Sequence, residues 1–205
     1  MTGAAGLDAA LAAIAAGRMA VIAGDRLRGG DIDLMIAAEA VTPEAINFMA
    51  THGRGLICLS VTPERAAQLG LTLVNPGTER QTGRPFARSI EAAHGVSTGI
   101  SAADRAHTVR VAIAPGASNA DIHSPGHVFP LIAQSGGVLT RASACEASID
   151  LARLAGAGDA AVICSIMRDD GEMARLEDIG DLIAAHGLAV AEIGELIARL
   201  ERADA

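Results

Sequence analysis

Short apolar runs alternate along the chain with longer segments in which apolar residues recur at helical spacing. The short runs predict strands at Met19–Ala23, Leu56–Ser60, Gly137–Thr140, Ala160–Ile166 and Ala189–Ile193. The longer segments predict helices at Leu7–Arg18, Thr42–His52, Thr62–Gly70, Ser101–Ile113, Glu146–Leu154, Leu176–His186 and Gly194–Glu201. Polar and glycine- or proline-rich intervals predict irregular loops at Gly24–Asp33, Asn75–Arg88 and Pro115–Pro130. Because strands alternate with helices, we expect one layered α/β (α+β) domain over residues 1–205.

Composition excludes several classes of function. All 16 basic residues are arginine, so a mechanism that needs a lysine side chain to form a Schiff base is excluded. The net charge is −8, and an acidic chain with few aromatic residues is a poor binder of nucleic acid. No window of about 18 apolar residues predicts a membrane span. The cysteines are scattered and only 3 in number, which favours a reducing cytoplasm over a disulfide framework.

Motifs that follow one another along nearly the whole chain resemble the 3,4-dihydroxy-2-butanone 4-phosphate synthase family of riboflavin biosynthesis. They lie at His52–Cys58 (HGRGLIC), Thr98–Arg105 (TGISAADR), Pro125–Leu131 (PGHVFPL), Gly136–Arg141 (GGVLTR) and Asp169–Arg175 (DDGEMAR). The resemblance implies an α/β fold and a homodimer with sites at the interface. It further implies conversion of ribulose 5-phosphate to dihydroxybutanone phosphate and formate, with two Mg²⁺ ions held by a glutamate and a histidine.

The chain departs from the family pattern where that pattern carries its chemistry. The metal-binding glutamate of the family matches Gly29, and the metal-binding histidine matches Ala144. A catalytic glutamate matches Ser165, and a threonine that helps to hold phosphate matches Cys145. Since Mg²⁺ needs several oxygen ligands, we expect no metal cofactor, although Asp31 and Asp33, which remain from the family's acidic loop at residues 28–33, could hold a Mg²⁺ ion in another geometry.

These departures suggest a different chemistry with Cys145 as the first candidate for a catalytic residue. Cys145 precedes a predicted helix, whose N-terminus would lower the pKa of the thiol and make it a nucleophile. His127 would be its base, oriented by Asp31 or Asp33, in a metal-independent hydrolysis or lyase step on a small anionic metabolite. The alternative is that Cys145 only packs in the interior and that His127 caps an element or bridges subunits.

Other retained polar residues are candidates for substrate contact. Arginine suits a planar carboxylate or phosphate. The substrate-binding candidates are Arg28, Arg141, Ser143, Thr98, Ser165 and Glu146. Two further hypotheses remain open at this point, an ordinary synthase and a non-catalytic ligand-binding or regulatory homologue.

Overall fold

A computed structural model describes residues 6–25, 27, 29–75 and 83–203. Its strands are β1 Ala20–Asp25, β2 Asp31–Ala37, β3 Cys58–Val61, β4 Ile90–Ala92, β5 Ile122–Ile132, β6 Ala161–Ser165 and β7 Ala189–Glu192. Its α-helices are α1 Leu7–Ala15, α2 Pro43–Phe48, α3 Pro63–Gln68, α4 Ala102–Ile113, α5 Gly137–Thr140, α6 Ala144–Leu154, α7 Gly180–His186 and α8 Ile193–Ala203. A π-helical turn at Met49–Gly53 continues α2.

The strands form one mixed sheet in the order β4-β5-β3-β6-β2-β1-β7. Neighbours β3 and β5 are parallel, as are β1 and β7, and the other pairs are antiparallel. Alternate side chains of each strand point to opposite faces of the sheet. Val21 therefore packs with Ile46 of α2 and Val109 of α4 on one face, and Ile22 packs with Ile14 of α1 on the other. The predicted layered α/β fold is confirmed as a sheet with helices on both faces.

Threonine caps explain where α2 and α3 begin. The Thr42 side chain accepts a hydrogen bond from the Ala45 amide at 3.1 Å, and Thr62 accepts one from the Arg65 amide at 3.2 Å. Each threonine is followed by a proline at the first helical position, where a missing N–H costs nothing. These two predicted helix starts are confirmed.

Strand β2 lies where the sequence predicts a loop. Two glycines, Gly29 and Gly30, and two acids, Asp31 and Asp33, made this segment look like a turn. The glycines do form a turn, with φ of 65° and 86°. The strand begins directly after them, and all of its residues are buried, so the acids stand at one end of a central strand.

Two further predictions of secondary structure were wrong. Pro115–Pro130 was expected to be irregular, but most of it belongs to β5. Pro125 lies at the register shift between β5 and β4, and a bulge of this kind tolerates proline. Gly137–Thr140 was expected to be a strand, yet it is the single helical turn α5. Gly136 and Gly137 both have positive φ, of 90° and 60°, which a regular strand cannot accommodate.

Candidate functional site

The candidate site lies where β2 begins and β6 ends. Because these strands are antiparallel, Asp33 and Ser165 face each other in register. Helix α6 begins beside them, and its first residue, Ala144, donates its backbone N–H to Asp25 Oδ2 at 3.0 Å. Asp25 belongs to β1 and is buried. The topology thus brings together the segment from Gly29 to Asp33, which matches the family's acidic loop, the end of β6 at Ser165 and the start of α6, as the resemblance implies.

A buried arginine occupies the space between these elements. The Arg84 guanidinium contacts Asp33 Oδ1 and donates to Ser165 Oγ at 2.6 Å, and Ser165 Oγ donates to Asp33 Oδ1 at 2.9 Å. Burial, the largest single effect, lowers the pKa of Arg84, but the Asp33 carboxylate together with Cys58 and Cys145 raises that pKa to above its ordinary value. Arg84 is therefore a permanent cation inside the site.

Sequence reasoning missed Arg84. Its only signal was a basic residue between Gly83 and Pro85 in a segment predicted to be a loop. Nothing in the sequence distinguishes it from the other arginines, since its burial depends on contacts with strands that are distant along the chain.

Three of the predicted substrate-binding residues form a buried cluster of their own. Arg141 Nη1 donates to Ser143 Oγ at 2.9 Å and pairs with Glu146 Oε2 at 3.1 Å. Ser143 Oγ also donates to Glu146 Oε2, and Glu146 Oε1 accepts a hydrogen bond from the backbone N–H of Gln134 at 3.0 Å. The Glu146 side chain is fully buried. The structure thus places these three residues together and gives them a supporting role in the described chain, and direct contact with a substrate stays a prediction.

The Arg141 side chain also holds the end of the segment that carries Arg84. Its Nη2 donates to the Gly83 carbonyl at 2.6 Å. A network of polar contacts therefore runs from Glu146 through Arg141 to the backbone next to Arg84.

The prediction that Cys145 has a lowered pKa was wrong. Cys145 is only 3% exposed. Burial raises the pKa of its thiol well above the usual value, and the neighbouring Glu146 carboxylate raises it further. The helix N-terminus that was expected to activate the thiol already binds the Asp25 carboxylate through the Ala144 amide. Cys145 is a packed interior residue, as the alternative interpretation held.

The expected trio of Cys145, His127 and an aspartate is not joined by the contacts of the described residues. His127 is half-exposed on β5, and its Nδ1 contacts Glu91 Oε1 on β4. Asp31 instead pairs with Arg175 Nη1 at 2.7 Å. Sequence reasoning missed both Glu91 and Arg175 as partners, because neither pairing follows from spacing along the chain.

The remaining predicted contacts lie apart from this network or outside the described residues. Thr98 is exposed, and substrate contact by Thr98 stays a prediction. Its neighbour Ser97 donates its hydroxyl to Asp104 Oδ2 at 3.1 Å, so Ser97 supports the entry to α4. Arg28 lies outside the described residues, as do residues 76–82 of the predicted loop Asn75–Arg88. Ser165 contacts Arg84, as given above.

The residues present do not fit a pair of magnesium ions. Gly29 and Ala144 stand where the resemblance implies the two metal ligands, and neither has a side-chain donor atom. Among the described residues, no group of three or more His, Cys, Asp or Glu side chains could hold a metal ion. The Arg84 guanidinium contacts Asp33, one of the two acids that remain, and a fixed cation opposes the binding of a second one. No step through magnesium is therefore derived for this chain.

Comparison with known proteins identifies the class of this α/β protein. The family model described as 3,4-dihydroxy-2-butanone 4-phosphate synthase matches residues 8–199. The riboflavin biosynthesis protein RibBA of Aquifex aeolicus is 52% identical over 93% of the chain and 48% of its own length. The 3,4-dihydroxy-2-butanone 4-phosphate synthase of Citrobacter koseri is 45% identical over 94% of the chain and 88% of its own length.

A solved structure gives the same result for the fold. A crystal structure of 3,4-dihydroxy-2-butanone 4-phosphate synthase in complex with two magnesium ions superposes with a TM-score of 0.90 at 36% identity, and the match covers 97% of this chain and 98% of that one. The architecture is thus the α/β architecture of that solved synthase. The chain belongs to the 3,4-dihydroxy-2-butanone 4-phosphate synthase family, and it spans about half the length of the first curated relatives it matches.

These comparisons correct the functional prediction. A metal-independent hydrolysis or lyase step based on Cys145 was expected. Relatives that share about half of the residues over most of the chain are instead named as synthases, and the burial of Cys145 removes the physical basis of the cysteine mechanism. Since those relatives are enzymes, the ordinary synthase is the better supported of the hypotheses.

No helix within the described ranges is both long and apolar enough to cross a membrane.

Proposed function

We propose that this chain acts on the substrate of its family, ribulose 5-phosphate, as a 3,4-dihydroxy-2-butanone 4-phosphate synthase. The observation that carries the proposal is the match over nearly the whole chain to relatives of that name, including one of similar length at 45% identity. Support also comes from Asp33 and Arg141, which are retained, buried and held by polar contacts around one site.

The expected rate is low. Ser165 stands in place of the family's catalytic glutamate, and the loss of a general acid or base lowers a rate by about 100- to 10,000-fold. The test is to incubate the purified chain with ribulose 5-phosphate and Mg²⁺ and to measure formate release. The Citrobacter koseri synthase serves as the positive control. We expect formate at a rate at least about 100-fold below that control.

A second candidate function is binding of the same substrate without turnover. The absence of side-chain donors at Gly29 and Ala144 favours it. Stabilisation of the chain by ribulose 5-phosphate in a thermal melt, together with no formate above the no-enzyme blank, would select this candidate. If neither stabilisation nor formate is observed, ribulose 5-phosphate is not the ligand and both candidates are wrong.

We also propose that the chain forms a homodimer in the cytoplasm, as the family resemblance implies. Leu56 and Val74 support a covered surface, because both are exposed apolar side chains that line the same cavity. Light scattering should give about twice the monomer mass of 20.7 kDa. A monomer mass at micromolar concentration would contradict the proposal.

A further inference from the structure

Arg84 has no counterpart in the chemistry that the resemblance implies. Its side chain is 11% exposed and reaches the paired end of β2 and β6. There its Nη2 contacts Asp33 Oδ1 and Ser165 Oγ, while Nη1 lies 3.8 Å from Cys58 Sγ. Asp33 belongs to the family's acidic loop, and Ser165 stands at the position of its catalytic glutamate.

The backbone on both sides of Arg84 is fixed. On one side the Gly83 carbonyl accepts a hydrogen bond from Arg141 Nη2 at 2.6 Å. On the other side the Ala87 amide donates to the Pro130 carbonyl of β5 at 2.9 Å. An arginine held in this way loses little further freedom when it binds a ligand, which favours binding.

The guanidinium also faces a cavity. Together with Leu56, Ser89 and Phe129, among others, Arg84 lines a space of about 600 Å³. A guanidinium has five N–H donors. The contacts with the described residues use both Nη2 hydrogens and one Nη1 hydrogen. Nε and the other Nη1 hydrogen can each donate one charge-assisted hydrogen bond to a phosphate or carboxylate oxygen.

We propose that Arg84 takes the electrostatic place of magnesium in this chain: it neutralises Asp33 and binds the anionic group of the ligand, so that ligand binding does not require Mg²⁺. The inference rests on the proposed function for its ligand class, a sugar phosphate. A guanidinium cannot leave with a chelator, and it keeps its charge at every physiological pH.

The test measures binding by calorimetry, with ribulose 5-phosphate and with inorganic phosphate, each in EDTA and in excess Mg²⁺. The variant is Arg84→Met combined with Asp33→Asn, which avoids leaving a buried carboxylate unpaired. Arg199→Met is the matched control, because it removes one positive charge from a surface pair with Asp8. Circular dichroism and thermal melts show whether each variant folds, and Arg84→Lys is the second variant if the double substitution does not.

We expect the parent chain to bind at least one of the two anions with the same affinity in EDTA and in Mg²⁺. The Arg84 variant should bind that anion about tenfold or more weakly, as for the loss of a charged hydrogen bond, and the Arg199 control should match the parent. If the double substitution unfolds, Arg84→Lys should weaken binding severalfold, since a single ammonium on a shorter side chain cannot keep the contacts with Asp33 and Ser165 and also reach the anion.

Each other outcome is informative. Binding of phosphate that depends on Arg84, without binding of ribulose 5-phosphate, would keep this inference and remove the proposed substrate. A requirement for Mg²⁺, equal affinity in the folded Arg84 variant, or no binding of either anion would overturn the inference.

Discussion

Replacement of Glu146 by alanine is expected to destabilise the chain by about 3–5 kcal/mol, the usual effect of removing one partner of a buried ion pair. The Glu146 carboxylate is fully buried, pairs with Arg141 at 3.1 Å and accepts hydrogen bonds from Ser143 and from the Gln134 amide. Without Glu146, the Arg141 guanidinium stays buried, with 7% of its side chain exposed, and lacks a neutralising anion.

For a domain of roughly 200 residues, 1 kcal/mol corresponds to about 2–4 °C in the unfolding midpoint. The expected drop is therefore roughly 6–20 °C. Differential scanning calorimetry of Glu146→Ala measures it. Glu201→Ala is the matched control, because Glu201 is exposed on α8, and its midpoint should stay within about 2 °C of the parent.

A double substitution separates charge from packing. Because a hydrophobic pair of similar volume often replaces a buried ion pair without loss, Arg141→Met with Glu146→Leu should recover about half of the lost stability. The backbone N–H of Gln134 and the hydroxyl of Ser143 still lose the Glu146 carboxylate as their hydrogen-bond acceptor, which limits the recovery of stability. A midpoint for Glu146→Ala within about 2 °C of the parent would refute the assignment of this pair as a structural support.

Three further predictions concern residues around the site. Cys145, which is buried with a raised thiol pKa, should react with a thiol reagent at pH 8 at least about 100-fold more slowly in the native chain than in urea; comparable rates would contradict its burial. Gly126→Ala should lower the free energy of unfolding in urea by about 2 kcal/mol or more, because the added Cβ would lie 2.2 Å from the backbone carbonyl of Ile90 in β4. The control Gly187→Ala, with φ of 59° and no neighbour within 4 Å, should show only the smaller backbone effect, and equal losses would disprove the clash. Gly29→Glu with Ala144→His and Arg84→Met should create binding of Mn²⁺ detectable by electron paramagnetic resonance, which the parent should lack; strong binding by the parent would show that the present residues suffice.

The layered fold could be predicted from the sequence because its signals are local. The starts of α2 and α3 are each set by a capping threonine hydroxyl, of Thr42 or Thr62, and by the proline that directly follows that threonine. Strand β2 was missed because its burial comes from β1 and β6 on its two sides, while its first residues, Asp31 to Asp33, read as polar turn residues. Pairing across a sheet is a tertiary property, so the sequence around polar residues at a strand end does not show whether they pair with other strands.

The candidate site was predicted only in part for the same reason. Collinear motifs located the acidic loop, the start of α6 and the end of β6, and the structure brings these together. The chemistry of Cys145 was misjudged because a helix N-terminus activates a thiol only when the thiol is accessible and the amides are unoccupied. Here the Asp25 carboxylate, which is distant along the chain, occupies the Ala144 amide.

Charge balance links the altered positions to one another. A carboxylate as deeply buried as Asp33, with no exposed side-chain surface, needs a cation beside it. In a protein with a glutamate and a histidine at positions 29 and 144, a bound metal could supply that charge. Gly29 and Ala144 cannot hold one, so retention of Asp33 requires another cation, and Arg84 contacts it directly. The substitutions at positions 29 and 144 and the buried Arg84 are therefore parts of one change. Restoring the glutamate and the histidine while Arg84 remains should leave a metal ion and the guanidinium competing for the Asp33 carboxylate.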